Sequence, residues 1–199
     1  MPETRLTLLP SDRFSALLPA LEERLDAIGR SITAENFAST LDGTMRRVIH
    51  SAFEDAGASE GTVWLLEVAT QTLAPAYNTG PSPEKLVGRF KQPLSAGLIS
   101  MVFASEQPFL ENDVWRNSSQ DKSLDSMLSV QTLAMIAVPF YFLSACRGVL
   151  SCVQLKLLGS GAATSPGFNE MDKSRVLHAA TTLGRLIDYH VLRTTLGLN

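Results

Sequence analysis

Cysteine and histidine are scarce in this chain, with two of the first and three of the second among 199 residues. Structural zinc sites and disulfide frameworks draw on clusters of those residues, so neither is expected. Cys146 and Cys152 fall at different levels of one hairpin, too far apart to bridge, and are expected as reduced thiols. Positive charge is not in excess either. The formal net charge is -3, the sequence pI is near 5.6, and no basic cluster is longer than Arg46-Arg47. No field gathers phosphate backbones, and nucleic acid is not an expected partner. Apolar runs are interrupted well short of a membrane-spanning length, and the opening MPETRLTLLPSDR lacks the basic-then-apolar layout of a secretion signal. A soluble, cytoplasmic protein with no membrane partner is the expectation. Hydrolytic chemistry has no visible machinery, because there is no nucleophile elbow, no histidine pair on one helical turn and no Walker-type glycine loop. No catalytic residue and no metal ligand is assigned.

What is present is enough for one substantial core. At 45% hydrophobic, 199 residues fit a single domain with appendages. The expected organisation is an amphipathic helix within residues 1–33, a domain over 34–188, and the end of a C-terminal helix with a tail over 189–199. The central stretch Thr132 to Leu157 reads as two apolar runs about a polar turn at Ser144 to Arg147, with Gly148 opening the second run, which predicts a β-hairpin. Both alternating sets of the first run are apolar, so that strand should be covered on both faces.

Taken from the start, Phe14, Leu18, Leu21, Leu25, Ile28 and Ile32 alternate steps of four and three, a heptad seam on a charged helix. Such a narrow seam can pack on the chain's own sheet or on the same helix of a second copy; its narrowness favours the helical partner and therefore a homodimer through the terminal helices. A second helix is predicted from about Ala34 to Ala56, ended by Gly57. Val63 to Val68 and Leu73 to Tyr77 read as a hairpin, and Gly80 to Pro93 as a loop with a short strand near Phe90. Ser95 is expected to cap a helix over Ala96 to Ser105, PFLENDV to return as strand or turn, and Ser123 to cap a short helical turn in a polar lid from Trp115 to Ser129. Asn169 and Asp172 form a capping arrangement for a long last helix.

Four of these pieces in this order resemble the GAF family over roughly Phe37 to Asp188: GASEGTVWLLE, LSAGLISMVFASEQPFLENDV, TLAMIAVPF with CRGVLSCVQL, and GFNEMDKSRVLHAATTLGRLID. The PAS fold is the nearest rival, and the helices before the first strand and after the last favour GAF. The resemblance implies an α+β, PAS-related fold, with an antiparallel sheet of about six strands. A bundle of the N- and C-terminal helices would cover one face, and loops and short helices would roof a small-molecule pocket on the other. It also implies flanking helices that bundle in a dimer and relay a signal.

The ligand-binding candidates under that resemblance are Phe90, Leu98, Asp113, Trp115, Asn117, Asp125, Met127, Thr132 and Met135. Trp115 and Asn117 combine an aromatic plane with hydrogen-bonding groups in the lid, as a binding site would and as an anchored loop also would. The cyclic-nucleotide signature of the family is met only in part: Gln154-Leu155 replaces Asn-Lys, Phe168 and Asp172 are kept, and Lys173 replaces Glu. Phe168 is expected to plug the core and Asp172 to cap the last helix. Covalent bilin would need a Cys-His pair that is absent, and haem a histidine at the pocket wall, whereas His50, His178 and His190 fall on predicted helices. No cofactor is expected beyond an unidentified small molecule. The reading is a non-catalytic sensory module, with a ligand-free scaffold for dimerisation or protein contact as the alternative. A thiol enzyme similar to free methionine sulfoxide reductase is a minor third, since that branch carries its cysteines in the middle helix region and the lid, where this chain has none. No kinase, cyclase or DNA-binding pattern precedes the domain, so a signal would pass to a separate signalling protein if these 199 residues are the whole protein, or to an output module beyond Asn199 if they are part of a longer one.

Overall fold

The computed structural model describes residues 15–158 and 165–195. Phe14 of the predicted seam, most of the loop after the central hairpin and the last four residues lie outside the described residues. In chain order the elements are α1 (Leu18–Ser31), α2 (Phe37–Thr40), α3 (Gly43–Asp55), β1 (Glu60–Glu67), β2 (Thr72–Asn78), β3 (Gln92–Pro93), α4 (Leu98–Ser105), β4 (Phe109–Glu111), α5 (Ser123–Leu128), β5 (Val130–Phe142), β6 (Ala145–Leu157) and α6 (Glu170–Thr195). Short 3-10 turns stand at Pro83–Lys85 and Val114–Arg116. The strands form one six-stranded sheet in the order β3-β2-β1-β6-β5-β4, with every pairing antiparallel. This is the expected α+β architecture.

Period-two alternation sorts the sheet residues onto two faces. On the back face Val63, Leu65, Ala134, Ile136, Val138, Phe140, Leu150 and Cys152 join Phe37, Met45, Ile49 and Phe53 from α2 and α3 and Val176, Leu183 and Ile187 from α6 in one buried apolar cluster. The Phe140 ring stands edge-on to Phe37 at 6.2 Å and tilted against Phe142 at 5.4 Å. Such pairs add about 0.5–1.5 kcal/mol to the burial of their area. Helix α6 comes unusually close to β5: a Cβ on Gly184 would stand 2.0 Å from the Tyr141 carbonyl oxygen, so only glycine fits. Asp188 fastens the same end, its Oδ1 accepting the Leu143 N–H at 2.6 Å. On the front face Trp64, Ala137 and Val149 pack with Ile99 and Val102 of α4 in a smaller cluster.

Four local expectations are corrected. The helix predicted from Ala34 to Ala56 is two helices, because Asp42 leaves helical geometry and its carboxylate accepts the N–H groups of Thr44 and Met45, both at 2.8 Å. The Arg46 guanidinium then takes the carbonyls of Ala38 and Leu41 at the end of α2. The central hairpin turns at Leu143 and Ser144 alone, with φ of 48° and 62°, and β6 starts at Ala145 rather than at Gly148. A two-residue loop with both φ positive matches the twist of the flanking strands even without glycine. Ser95 does not cap α4; the cap position is Gly97 and the helix starts at Leu98. Ser123 is the first residue of α5 and the cap position is Lys122, while Asp121 just before it accepts the Ser123 N–H and O–H. The reciprocal cap of α6 forms as expected, Asn169 Oδ1 accepting from Met171 and Asp172 and Asp172 Oδ2 accepting from Asn169.

Candidate functional site

The front of the sheet is roofed by α4, the Pro83–Lys85 turn and the segment from Val114 to Leu128, and beneath that roof lies a hollow of about 60 Å³. Strand alternation supplies its floor. Glu60, Thr62 and Trp64 project from β1, Ser151, Val153 and Leu155 from β6, and Thr132 and Met135 from β5, while Leu98, Ile99, Gln92, Gln120, Asp121, Leu124 and Asp125 close it from above.

Polar groups stitch floor to roof. Asp125 accepts the Thr132 N–H at 2.8 Å and hydroxyl at 2.6 Å, and Gln120 Nε2 donates to the same carboxylate at 3.0 Å. Gln92 Nε2 donates to Asp121 at 3.1 Å and to the Ala96 carbonyl at 2.8 Å, tying β3 to the lid. On the floor Trp64 Nε1 donates to Ser151 Oγ at 2.9 Å, and Asn78 Nδ2 to Thr62 Oγ1 at 2.9 Å. Two groups are left underserved. Gln120 Oε1 is buried and accepts no hydrogen bond among the described residues. Burial raises the pKa of Glu60 against a smaller opposing effect of the Asn78 side chain. Asp121 is shifted the other way, held down mainly by the Ser123 hydroxyl and N–H.

Gly97 forms a thin partition. Its φ of +88° is open only to glycine, and a Cβ there would meet Gln92 Nε2 at 2.8 Å and the Asp121 side chain at 3.3 Å. On its other side an open groove of about 470 Å³ runs between α4 and the lid, sharing Gly97, Gln120 and Asp121 with the hollow.

Of the sequence candidates, Leu98, Asp125, Thr132 and Met135 come together at the hollow. Phe90 stands one layer away, edge-on to Trp64 at 6.1 Å. Trp115 points away into a stack with the Arg116 guanidinium, 4.4 Å from its ring centroid. Asn117 caps its own loop, accepting the Ser119 N–H at 2.9 Å, and Asp113 and Met127 lie exposed at the outer surface of the lid. Glu60, Thr62, Trp64, Ser151, Gln92 and Gln120 were missed. The signal for Glu60 and Thr62 was available: polar residues at alternate positions of an otherwise apolar strand mark the face that is not plain core.

The remaining chemistry-bearing residues sit elsewhere. Cys152 is in the back core and Cys146 is half-buried beside the hairpin turn; burial pushes their thiols up to about 12 and about 11. His50 is on α3, its Nε2 2.8 Å from the Tyr77 hydroxyl, and His178 and His190 are on α6. Phe168 is buried in the back cluster, and Gln154 is spent on the backbone of Gly57 and Gly167.

Solved structures of the same shape decide the fold. The GAF domain of a phosphoenolpyruvate-protein phosphotransferase from Acinetobacter superposes with a TM-score of 0.57 at 17% identity, covering 90% of this chain and 95% of that one. The chain has the GAF fold. The GAF-B domain of DevS from Mycobacterium smegmatis gives a TM-score of 0.56 at 18% identity over 76% of this chain and 96% of that one. Not every neighbour is named for a GAF domain: free methionine-R-sulfoxide reductase from Neisseria meningitidis, solved with its substrate, matches with a TM-score of 0.54 at 17% identity over 96% of this chain and 98% of that one. No protein-family model and no curated protein matches the sequence. Among the described residues no helix is long and apolar enough to cross a membrane.

Proposed function

We propose that this GAF fold serves as a non-catalytic, cytoplasmic sensory module, dimeric through its terminal helices, which binds a small molecule in the front hollow and passes the change to a partner protein. The observation that carries the reading is the hollow itself: a polar-floored space under a hydrogen-bonded roof, with a buried amide oxygen left without a donor. Buried polar atoms are satisfied as a rule, and two described side-chain atoms depart from it: Gln120 Oε1, on a residue that lines the hollow, and Arg147 Nε beside α1. Thiol chemistry, the minor third reading drawn from the family resemblance, finds no support in this chain. Neither cysteine lines the hollow, and burial holds both as thiols, the unreactive form.

Two contacts support a route for the message. Asp26 on α1 accepts from Arg147 at 2.8 Å just past the hairpin turn, and Asp188 on α6 grips Leu143 at that turn. Both helices are thereby fastened to the β5–β6 hairpin, whose other end floors the hollow. A ligand shifts such an arrangement only if it binds two of its states with different affinity.

The size of the hollow favours a second reading. Drug-sized ligands occupy roughly 300–1,000 Å³, against about 60 Å³ here, so a domain that has closed its pocket and is used only as a scaffold is the alternative. Native mass spectrometry beside a denatured control, with a thermal-shift screen of nucleotides, amino acids, aromatic acids and small amines, separates the two. A retained mass or a saturable rise in Tm is expected for the sensor; neither appearing would leave the scaffold.

A further inference from the structure

Hydrogen bonding on the floor narrows what the hollow would hold, an inference that rests on the hollow being a ligand site. We propose that it takes the carbonyl oxygen of a small neutral molecule, an amide or a ketone, between the hydroxyls of Thr62 and Ser151, and that it rejects carboxylate anions.

Four hydroxyl side chains are buried among the described residues, those of Thr62, Ser100, Thr132 and Ser151. Ser100 donates its proton to the Pro93 carbonyl at 2.7 Å, and Thr132 donates to Asp125 at 2.6 Å. Thr62 and Ser151 only accept, from Asn78 Nδ2 and Trp64 Nε1, both at 2.9 Å. Neither nitrogen can take a proton in return. The indole N–H is a donor only, and the Asn78 amide is held in its orientation by Oδ1 accepting the Gly80 N–H at 2.7 Å. Both hydroxyl protons are therefore left without an acceptor among the described residues, on side chains only 5% and 3% exposed. Buried donors are as a rule used, as those of Ser100 and Thr132 are, and leaving one unmade is costly. The two that are unspent stand side by side: Thr62 is the register partner of Ser151 across β1 and β6, and both residues line the hollow. Residues directly opposite in an antiparallel pair have Cβ atoms about 4.5–5.5 Å apart, a span that one oxygen can bridge. A carbonyl oxygen has two lone pairs and no proton of its own to place, so a single one accepts from both hydroxyls. Trp64, Ile99, Met135 and Val153 supply apolar walls for the rest of the molecule. Charge sets aside the carboxylate that would offer the same lone pairs. Glu60 stands two positions before Thr62 on the same strand face, Asp121 and Asp125 border the hollow from above, and no Lys, Arg or His lines it among the described residues. A second negative charge brought beside these is disfavoured.

The test is 1H–15N NMR titration of the full chain, read at the Trp64 indole N–H, which donates to Ser151 beside the expected carbonyl. The probes are N-methylacetamide and cyclopentanone, with sodium acetate as the anionic arm and cyclopentene as a ring of the same size without the oxygen. Saturable shifts with N-methylacetamide or cyclopentanone are expected, none with acetate, and binding of cyclopentene weaker than that of cyclopentanone by about fivefold or more, the worth of a hydrogen bond. Thr62→Val and Ser151→Ala should each weaken the carbonyl probe by about the same factor, whereas Thr62→Ser and Ser151→Thr, which keep the hydroxyls, should leave it within about twofold of wild type. Thr62→Val and Ser151→Ala also take the acceptors from Asn78 and Trp64, so if either does not fold, cyclopentanone against cyclopentene on the wild-type chain still decides. Saturable acetate binding, cyclopentene binding as tightly as cyclopentanone, or affinity unchanged in both Thr62→Val and Ser151→Ala would overturn the inference. If a different molecule is retained while the carbonyl probes are not, the carbonyl inference falls and the sensory reading stands; if nothing binds, both fall.

Discussion

The two faces of one sheet are finished to different standards. Behind it, α2, α3 and α6 bury Phe37, Met45, Ile49, Phe140, Leu183 and Ile187 to completion, all from apolar side chains. In front, the cluster around Trp64, Ile99 and Val149 stops short, and the space beside it is lined by Glu60, Thr62, Ser151, Thr132 and Asp125. A protein interior packed as densely as the back has no room to respond to anything. The difference teaches that close packing is concentrated on one face while the other, the face of the proposed binding site, is held by polar bonds around a hollow, and it can be tested by damaging each in turn.

The largest effect belongs to the back. Phe140→Ala removes a fully buried ring that touches Phe37 and Phe142, and should cost about 3–5 kcal/mol. Urea denaturation should show a lower midpoint with an unchanged slope. A loss below about 1 kcal/mol would mean that the back is no tighter than the front, against the range expected for such a truncation.

Thr132→Val sharpens the contrast from the other side. It deletes the hydroxyl bond to Asp125 but keeps the N–H bond and nearly the same volume, so the loss should be about 2 kcal/mol, the range for a bond to a charged group. Its signature should be local. Hydrogen exchange should quicken in the lid from Asn117 to Leu128 while amides of α6 stay protected, because local opening draws on few contacts where the roof is held by polar stitches. Uniform acceleration across both layers would erase the distinction between them.

The same division explains what was legible in the sequence. The back announced itself: alternating apolar residues through Ala134 to Phe142 and the helical spacing of Val176, Ala180, Leu183 and Ile187 fix which sides are buried, and four segments in order carried the resemblance to the fold. The front was legible only in outline. Thr132, Met135, Leu98 and Asp125 could be placed because they lie on or beside predicted elements, whereas Trp115 and Asn117 were drawn in by composition and in the structure serve their own loop. Gln92 and Gln120 reach the hollow from irregular segments that no period describes. Where Glu60 and Ser151 come within reach of Asp125 depends on the order β1-β6-β5, a nonlocal pairing that spacing along the chain does not encode.

The smallest effect on stability is expected where the back core ends and the proposed surface for a second copy begins. The seam expected along α1 is split: Leu25, Ile28 and Ile32 pack on the chain's own core, while Leu18 and Leu21 remain 36% and 38% exposed beside Leu17 at 59%. A double substitution of Leu18 and Leu21 by Glu should therefore leave the circular dichroism and the urea midpoint of dilute protein within about 0.5 kcal/mol of wild type, as exposed positions do. Light scattering at higher concentration should fall from the mass of a dimer to that of a monomer. Leu25→Glu should do the reverse of this division, lowering the midpoint even in the monomer, because its side chain is half-buried against the back cluster. A dimer that survives the double substitution would remove α1 from the interface, and a collapse of the fold would move the edge of the back core outward to Leu18.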